Sequence, residues 1–171
     1  MYLIISGTNR AGSYTLKVAK EYQRLLREKS IEPVLLSLEG LNLLTRDADF
    51  EKMENEMIIP INNYIFISPE YNGSFPGALK MLFDTGKSHA LWWHKKALLT
   101  GVSTGRAGNL RGMDHLAGVL NHVKVTVHHN RLPLSSVDKL MDEDGHFTDD
   151  NTLKAINQQL DEFIKWTTPI P

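Results

Sequence analysis

Tyr2-Leu3-Ile4-Ile5-Ser6 is an apolar run, and Gly7-Thr8-Asn9-Arg10-Ala11-Gly12-Ser13 breaks it before a helical period starts at Tyr14. A short continuous apolar run suits a strand buried on both faces, as in parallel sheets. Leu16, Ala19, Tyr22, Leu25 and Leu26 then recur at helical spacing as far as Lys29, with Lys17, Lys20, Glu21, Arg24 and Arg27 between them. The chain therefore opens with a strand, a glycine-bearing turn and a helix.

The same alternation continues outward from this unit. Val34, Leu36 and Leu38 alternate as a second strand, and Asp49 to Ile58 reads as a short helix. Tyr64 to Ser68 (YIFIS) is a third apolar run. Pro76 and Gly86 bracket a helix in the order their backbones prefer. Ala97 to Val102 is a fourth strand and Leu110 to Asn121 a helix with Met113, Leu116, Ala117 and Leu120 on one stripe. Val123, Val125 and Val127 predict a fifth strand. Asp149 or Asp150 caps a last helix that turns Leu153, Ile156, Leu160, Phe163 and Ile164 to the core. Strands alternating with helices predict an α/β fold, a doubly wound five-stranded parallel sheet with helices on both faces. One domain is expected over residues 1–171, since no linker, repeat or low-complexity segment interrupts it.

Composition removes several function classes. Lys plus Arg is 19 against 20 for Asp plus Glu, so no electrostatic footprint for nucleic acid is expected. There is no cysteine, which excludes disulfides, thiolate metal sites, Cys-ligated clusters and a Cys nucleophile. Redox chemistry would need a bound organic cofactor. No apolar stretch approaches the roughly 18–20 residues that cross a membrane. MYLIIS has no basic residue ahead of its apolar run, so no secretory leader is expected, and the expected location is cytoplasmic.

In doubly wound sheets, ligands bind beyond the carboxyl ends of the strands, where strand order reverses. Three loops fall there. The first carries Ser6, Thr8, Arg10, Ser13, Tyr14 and Thr15 around Gly7 and Gly12, ahead of a helix N-terminus. Backbone N–H groups, hydroxyls and a cation in that setting form a cradle for a phosphate monoester. Gly7 and Gly12 share the spacing of G-x-x-x-x-G-K-[ST], but Ser13 and Tyr14 stand where Lys and Ser/Thr belong, so nucleotide triphosphate hydrolysis is not expected. The second loop is Pro69-Glu70-Tyr71-Asn72-Gly73-Ser74-Phe75-Pro76, a tight turn that can offer backbone donors to the edge of a planar heterocycle. In the third, Gly101-Val102-Ser103-Thr104-Gly105 matches the G-x-S-x-G nucleophile elbow literally, with Asp138 to Asp150 and His146 following in triad order. A serine hydrolase using Ser103 is therefore one alternative. It leaves the first two loops unexplained and lacks an oxyanion segment of the HGGG kind.

Three strings give the chain a specific likeness: S-G-T-N-R-A-G-S at Ser6 to Ser13, P-E-Y-N-G-S-F-P-G-A-L-K at Pro69 to Lys80, and S-T-G-R-A-G-N at Ser103 to Asn109. Over essentially its whole length the chain resembles the NAD(P)H-dependent FMN reductases, a flavodoxin-like family that includes quinone, azo-dye and chromate reductases. The resemblance implies FMN as cofactor and NADPH or NADH as co-substrate, in ping-pong transfer to a small-molecule acceptor. It implies that Thr8, Arg10, Ser13 and Thr15 surround the phosphate, with Ser6 and Tyr14 in the same loop. Pro69, Glu70, Tyr71, Asn72 and Gly73 would line the ring and ribityl chain. Ser103, Thr104, Gly105 and Arg106 would approach the pyrimidine side. No catalytic side chain is named. A homodimer or homotetramer is implied, while a non-catalytic flavin electron carrier is a further alternative. Two positions depart from the family pattern: Thr15 replaces an Asn, and Gly108-Asn109 replaces a Gly-Gly pair.

The remaining features have plainer readings. His128 and His129 are neighbours on the expected fifth strand and should point to opposite faces, so no metal is expected from the seven histidines. Asp142-Glu143-Asp144-Gly145 lacks EF-hand ligands at Leu140 and Asn151, and Gly86-Lys87-Ser88 follows a helix instead of opening one. Trp92 and Trp93 cannot both pack inward, so one of them is expected at a subunit interface or over the flavin.

Overall fold

The computed structural model describes residues 1–168; the last three residues of the expected 1–171 domain lie outside them. Strand β1 (Tyr2–Ser6) leads into helix α1 (Tyr14–Glu28) and strand β2 (Val34–Ser37). Helix α2 (Ala48–Met53) runs on into a π-helical turn at Glu54–Ile58, so the expected single helix from Asp49 has a widened second half. Then follow β3 (Asn63–Pro69), α3 (Gly77–Thr85), α4 (Ser88–Leu91), β4 (Lys96–Val102) and α5 (Leu110–His122). The chain ends with β5 (Thr126–Val127), β6 (Leu132–Leu134), a 3-10 turn at Val137–Lys139 and α6 (Asp150–Thr167).

The sheet order is β2-β1-β3-β4-β5, all parallel, with β6 also pairing with β4. Strand order reverses between β1 and β3, which is the doubly wound arrangement of flavodoxins. Alternate side chains enter the two layers. Leu3, Ile5, Tyr64, Phe66 and Leu99 meet α3 and α5 through Leu79, Leu82, Met113 and Leu116. Ile4, Ile65, Ile67 and Leu98 meet α1 and α6 through Tyr22, Leu26, Ile156 and Phe163. Both strand faces are covered, which is why these runs contain almost no polar residue.

The expected fifth strand is corrected. Val123 follows α5 as its cap, Lys124 turns left-handed at φ +60°, and only Thr126–Val127 pair with β4. The rest of that edge comes from β6. Ala97 pairs with Val127 and Thr100 with Leu132, so the edge carries two more residues than β4 spans there. Residues 128–131 bulge outward. Gln159 of α6 enters the break, donating to the carbonyls of Leu99 (3.0 Å) and Asn130 (2.9 Å) and accepting from Tyr22 Oη (2.7 Å). Because His128 and His129 lie on this bulge and not on a pleated strand, they do not point apart; their ring centroids are 4.3 Å from each other. The expected opposite orientation of the two histidines is thus corrected, and both rings approach Glu162.

Trp92 is fully buried against Phe83 and Tyr64, with centroids at 4.6 and 5.6 Å. Trp93 is 41% exposed and precedes the amino end of β4, the end of the sheet away from the three loops. Neither tryptophan lines the cleft at those loops. No helix among the described residues is long and apolar enough to cross a membrane.

Candidate functional site

The first, second and third loops converge at the carboxyl ends of β1, β3 and β4 and line a cleft of about 240 Å³. Its wall is laced by the backbone. Gly7 N–H donates to Ile67 O (2.8 Å), Glu70 N–H to Val102 O (2.9 Å) and Ser103 N–H to Leu134 O (3.0 Å).

The first loop ends in the amino terminus of α1. Ser13 caps that helix, its Oγ accepting the Leu16 N–H at 3.2 Å. The leading N–H groups of a helix have no intrahelical partner and carry the positive end of its dipole. Ser13, Tyr14 and Thr15 at this terminus line the cleft together with Arg10. Thr8 stands behind it, buried, where its Oγ1 meets Tyr71 Oη at 2.7 Å and accepts the Arg10 N–H at 3.2 Å. Ser6 is fully buried beneath the loop and does not reach the cleft.

The second loop is a miniature hairpin. Tyr71 and Ser74 exchange backbone hydrogen bonds at 2.8 and 3.1 Å around Asn72 (φ +51°) and Gly73 (φ +81°). Two left-handed residues in succession explain Asn-Gly at this point: it is the dipeptide such turns require. The Glu70 carboxylate accepts the Gly73 N–H and so closes the turn. Pro69, Glu70 and Tyr71 line the cleft, whereas Asn72 and Gly73 shape the turn outside it. Arg10 lies 4.8 Å over the Tyr71 ring, so one face of that ring carries the cation.

The third loop folds back on the end of β4. A Cβ at Gly101 would collide with the Gly108 carbonyl, which explains a glycine inside a strand. Ser103, Thr104 and Gly105 line the cleft; the Arg106 side chain does not, and its carbonyl accepts Ser135 Oγ at 2.6 Å. Ser103 Oγ donates to Gly105 O (2.9 Å) and accepts the Gly108 N–H (3.0 Å), so the hydroxyl staples its own loop. Its backbone has no left-handed strain. His146, the triad histidine of the elbow reading, instead bonds Glu21 at 3.0 Å. The nucleophile–base contact that a hydrolase needs is not formed.

Three contributors escape sequence reasoning. Val102 and Val137 line the cleft but look like ordinary core valines in sequence. Asn109 does not line it and yet holds two loops together. It stands buried at the head of α5 with φ +63°. Its Nδ2 donates to the carbonyls of Ser68 and Pro69, each at 2.9 Å. Asparagine tolerates the left-handed region nearly as glycine does. With Gly108 (φ +53°) and Asn109 both left-handed, the asparagine that departs from Gly-Gly adds an amide latch; its signal in the sequence is that very departure. On the flank of α1, the hydrogen bond and then the charge of Glu21 raise the His146 pKa above its ordinary value.

The order 2-1-3-4-5 with a cleft at the β1/β3 reversal defines a flavodoxin-like α/β domain. An archaeal flavodoxin superposes with TM-score 0.59 at 12% identity, over 98% of this chain and all of that one. The sequence narrows the class: the family model for NADPH-dependent FMN reductase matches residues 2–137, and the chain belongs to that family. The protein is thus an oxidoreductase that uses FMN as cofactor and NAD(P)H as co-substrate. An NAD(P)H-dependent FMN reductase of Pseudomonas aeruginosa is 31% identical over 95% of this chain and 92% of its own. A 2-hydroxy-1,4-benzoquinone reductase of a Burkholderia species is 24% identical over 74% of each chain. The solved NAD(P)H:(acceptor) oxidoreductase FerB of Paracoccus denitrificans superposes with TM-score 0.76 at 25% identity, over 96% of this chain and 94% of that one.

The residues present fit FMN. A phosphate monoester needs a cation, hydroxyls and unpaired N–H groups, and Arg10, Ser13, Thr15 and the α1 terminus supply them in the cleft lining. A flat ring needs apolar and backbone surface, and Pro69, Tyr71, Val102 and the Ser103–Gly105 segment supply it in the same lining.

Proposed function

We propose that this cleft seats FMN, with its phosphate against Arg10, Ser13, Thr15 and the amino end of α1, and its ring between Pro69–Tyr71 and Ser103–Gly105. The observation that carries the reading is the meeting of that donor set with an apolar wall at the strand-order reversal. When bound, FMN supplies a two-electron carrier between NAD(P)H and a small acceptor. Arg10 balances the phosphate charge, while Ser13 and Thr15 orient it through their hydroxyls. Thr8 and Tyr71 hold the two walls in register through their 2.7 Å hydrogen bond. Pro69 and Val102 exclude water from the ring's inner side. The third loop at Thr104 and Gly105 would hold its pyrimidine side. No side chain is placed as acid or base; the Glu70 carboxylate is engaged by the Gly73 N–H.

Donor and acceptor then take turns at the cleft's open side, in ping-pong order, because a single cleft at the strand-order reversal receives both. Without cysteine there is no thiol relay to separate the two half-reactions in space. Quinones head the acceptor classes, ahead of free flavin and azo compounds, in keeping with the benzoquinone reductase and quinone reductases among the relatives. The chain acts as one FMN-binding domain in the cytoplasm, where NAD(P)H is supplied. It works as a homodimer or homotetramer, supported by Leu110, 53% exposed at the head of α5 beside the third loop.

Two measurements test this. Titration of purified protein with FMN, read by quenching of flavin fluorescence, should saturate at one per chain; an absence of quenching defeats the site. Initial rates with NADPH and a benzoquinone should give parallel double-reciprocal lines. Intersecting lines defeat the ping-pong order. Anaerobic bleaching of the bound flavin by NAD(P)H separates this reading from a carrier reduced only by a partner protein.

A further inference from the structure

His128, His129 and Glu162 place one ligand atom each within 4.8 Å of one another. The bulge at residues 128–131 brings the two imidazoles onto one side, and Glu162 reaches them from α6. The carboxylate is not free to wander. Gln158 Nε2 donates to one of its oxygens at 2.9 Å and Asn130 Nδ2 to the other at 2.8 Å. His128 is buried and wedged against Trp166 and Phe163, with ring centroids at 5.4 and 5.9 Å. One imidazole and the carboxylate are thus held from behind, as the outer shell of a metal site holds its ligands. The second imidazole is free to adjust, since the His129 side chain is 84% exposed.

We propose that these three residues bind a divalent transition-metal ion of the zinc class, in a site separate from the FMN cleft. Imidazole nitrogens with one carboxylate suit Zn²⁺, and two nitrogens disfavour Mg²⁺ and Ca²⁺, which take oxygen. Metal–ligand bonds of about 2.0–2.2 Å put tetrahedral ligand atoms roughly 3.4 Å apart. The ligand atoms, within 4.8 Å of one another, would close to that spacing around the ion, and the exposed His129 ring has room to turn with them. Three protein ligands leave a coordination position open to water. The ion would add a metal bridge between the broken edge of the sheet and α6, where Gln159 and the Asn130–Glu162 hydrogen bond already join them. Lys165 at the rim is exposed and is the opposing charge among the described lining residues.

The test uses untagged, FMN-loaded protein titrated calorimetrically with ZnCl2, with MgCl2 as the comparison. One Zn²⁺ per chain is expected and no Mg²⁺. His129→Ala and Glu162→Gln should each weaken Zn²⁺ binding by about tenfold or more. Saturating Zn²⁺ should raise the thermal midpoint of the parent protein by roughly 5 °C and leave that of either variant in place. Absence of saturable Zn²⁺ uptake overturns the proposal. So does uptake that either variant leaves unchanged.

Discussion

At their carboxyl ends the strands run out into hydroxyls, glycines and left-handed turns; at their amino ends they run out into Trp92, Tyr64 and Lys95. At the second end the Lys95 ammonium and the Tyr64 hydroxyl are satisfied from within, whereas the buried Trp92 indole N–H has no partner. Lys95 Nζ donates to the carbonyls of Ile58, Ile59 and Ile61 at 3.1, 2.9 and 2.7 Å, and Tyr64 Oη donates to Leu91 O at 2.6 Å. The first end keeps donors facing outward on the cleft wall, at Arg10, Ser13 and Thr15. A parallel sheet makes this asymmetry natural, because all strands deliver their carboxyl ends to the same side. One end can be closed for stability while the other stays open for a ligand.

Four substitutions test how far the two ends are independent. Trp92→Ala should have the largest effect, a loss of about 3–5 kcal/mol of stability by denaturant unfolding, because it leaves a cavity between Phe83 and Tyr64. FMN affinity of the folded fraction should stay unchanged; a parallel loss of affinity would mean that the ends are coupled. Arg10→Ala is the mirror experiment. A charge-assisted hydrogen bond contributes about 1.5–3 kcal/mol, so FMN affinity should fall roughly 10- to 100-fold. Unfolding of the FMN-free protein should move by no more than about 0.5 kcal/mol, as for an exposed side chain.

Asn109→Gly keeps the left-handed backbone and deletes the amide from the Ser68 and Pro69 carbonyls. A loss of about 1–2 kcal/mol in stability is expected, with weaker FMN binding, since second and third loops separate. Unchanged FMN binding would show that the latch serves stability alone. The smallest effect belongs to His146→Ala, read as a change in the pH dependence of the thermal midpoint. The Glu21 hydrogen bond raises the folded-state pKa of His146. Its contribution is therefore complete below about pH 6.5, the ordinary histidine value, and is lost as pH rises through the raised pKa. The parent should lose stability over that rise, and the variant should lose less.

Much of the fold is legible because each element announces itself locally. Tyr2–Ser6 and Tyr64–Ser68 are short runs built almost wholly of apolar residues, and Asp149 caps α6 by accepting the Thr152 N–H at 2.7 Å. The misreading at the edge also has a local cause. Val123, Val125 and Val127 alternate like a strand, but Val123 and Val125 are buried in a connector after α5. The actual second piece of edge, Leu132–Leu134, is masked by Pro133, which an edge strand tolerates because one side needs no N–H. In the site, Arg10, Ser13, Tyr14, Thr15, Pro69, Glu70, Tyr71, Ser103, Thr104 and Gly105 reach the cleft as their loops foretell. Ser6, Thr8, Asn72, Gly73 and Arg106 belong to the same loops but work behind or beside it. A loop's position follows from strand order, whereas the direction of each side chain depends on backbone angles that composition does not reveal.

By itself, the sequence determines that the fold is a doubly wound α/β sheet, that its chemistry rests on a bound cofactor, and that three particular loops gather beyond the carboxyl ends of the strands. Periodicity and turn chemistry act over a few residues, and they suffice for that. Only the tertiary structure decides that Ser103 is a staple, that Asn109 ties two loops, and that His128 and His129 turn toward Glu162. The Asn109 tie joins groups some forty residues apart in sequence, and the histidine cluster needs one edge to be two residues longer than its partner; the Ser103 staple is local but depends on the backbone course of its loop.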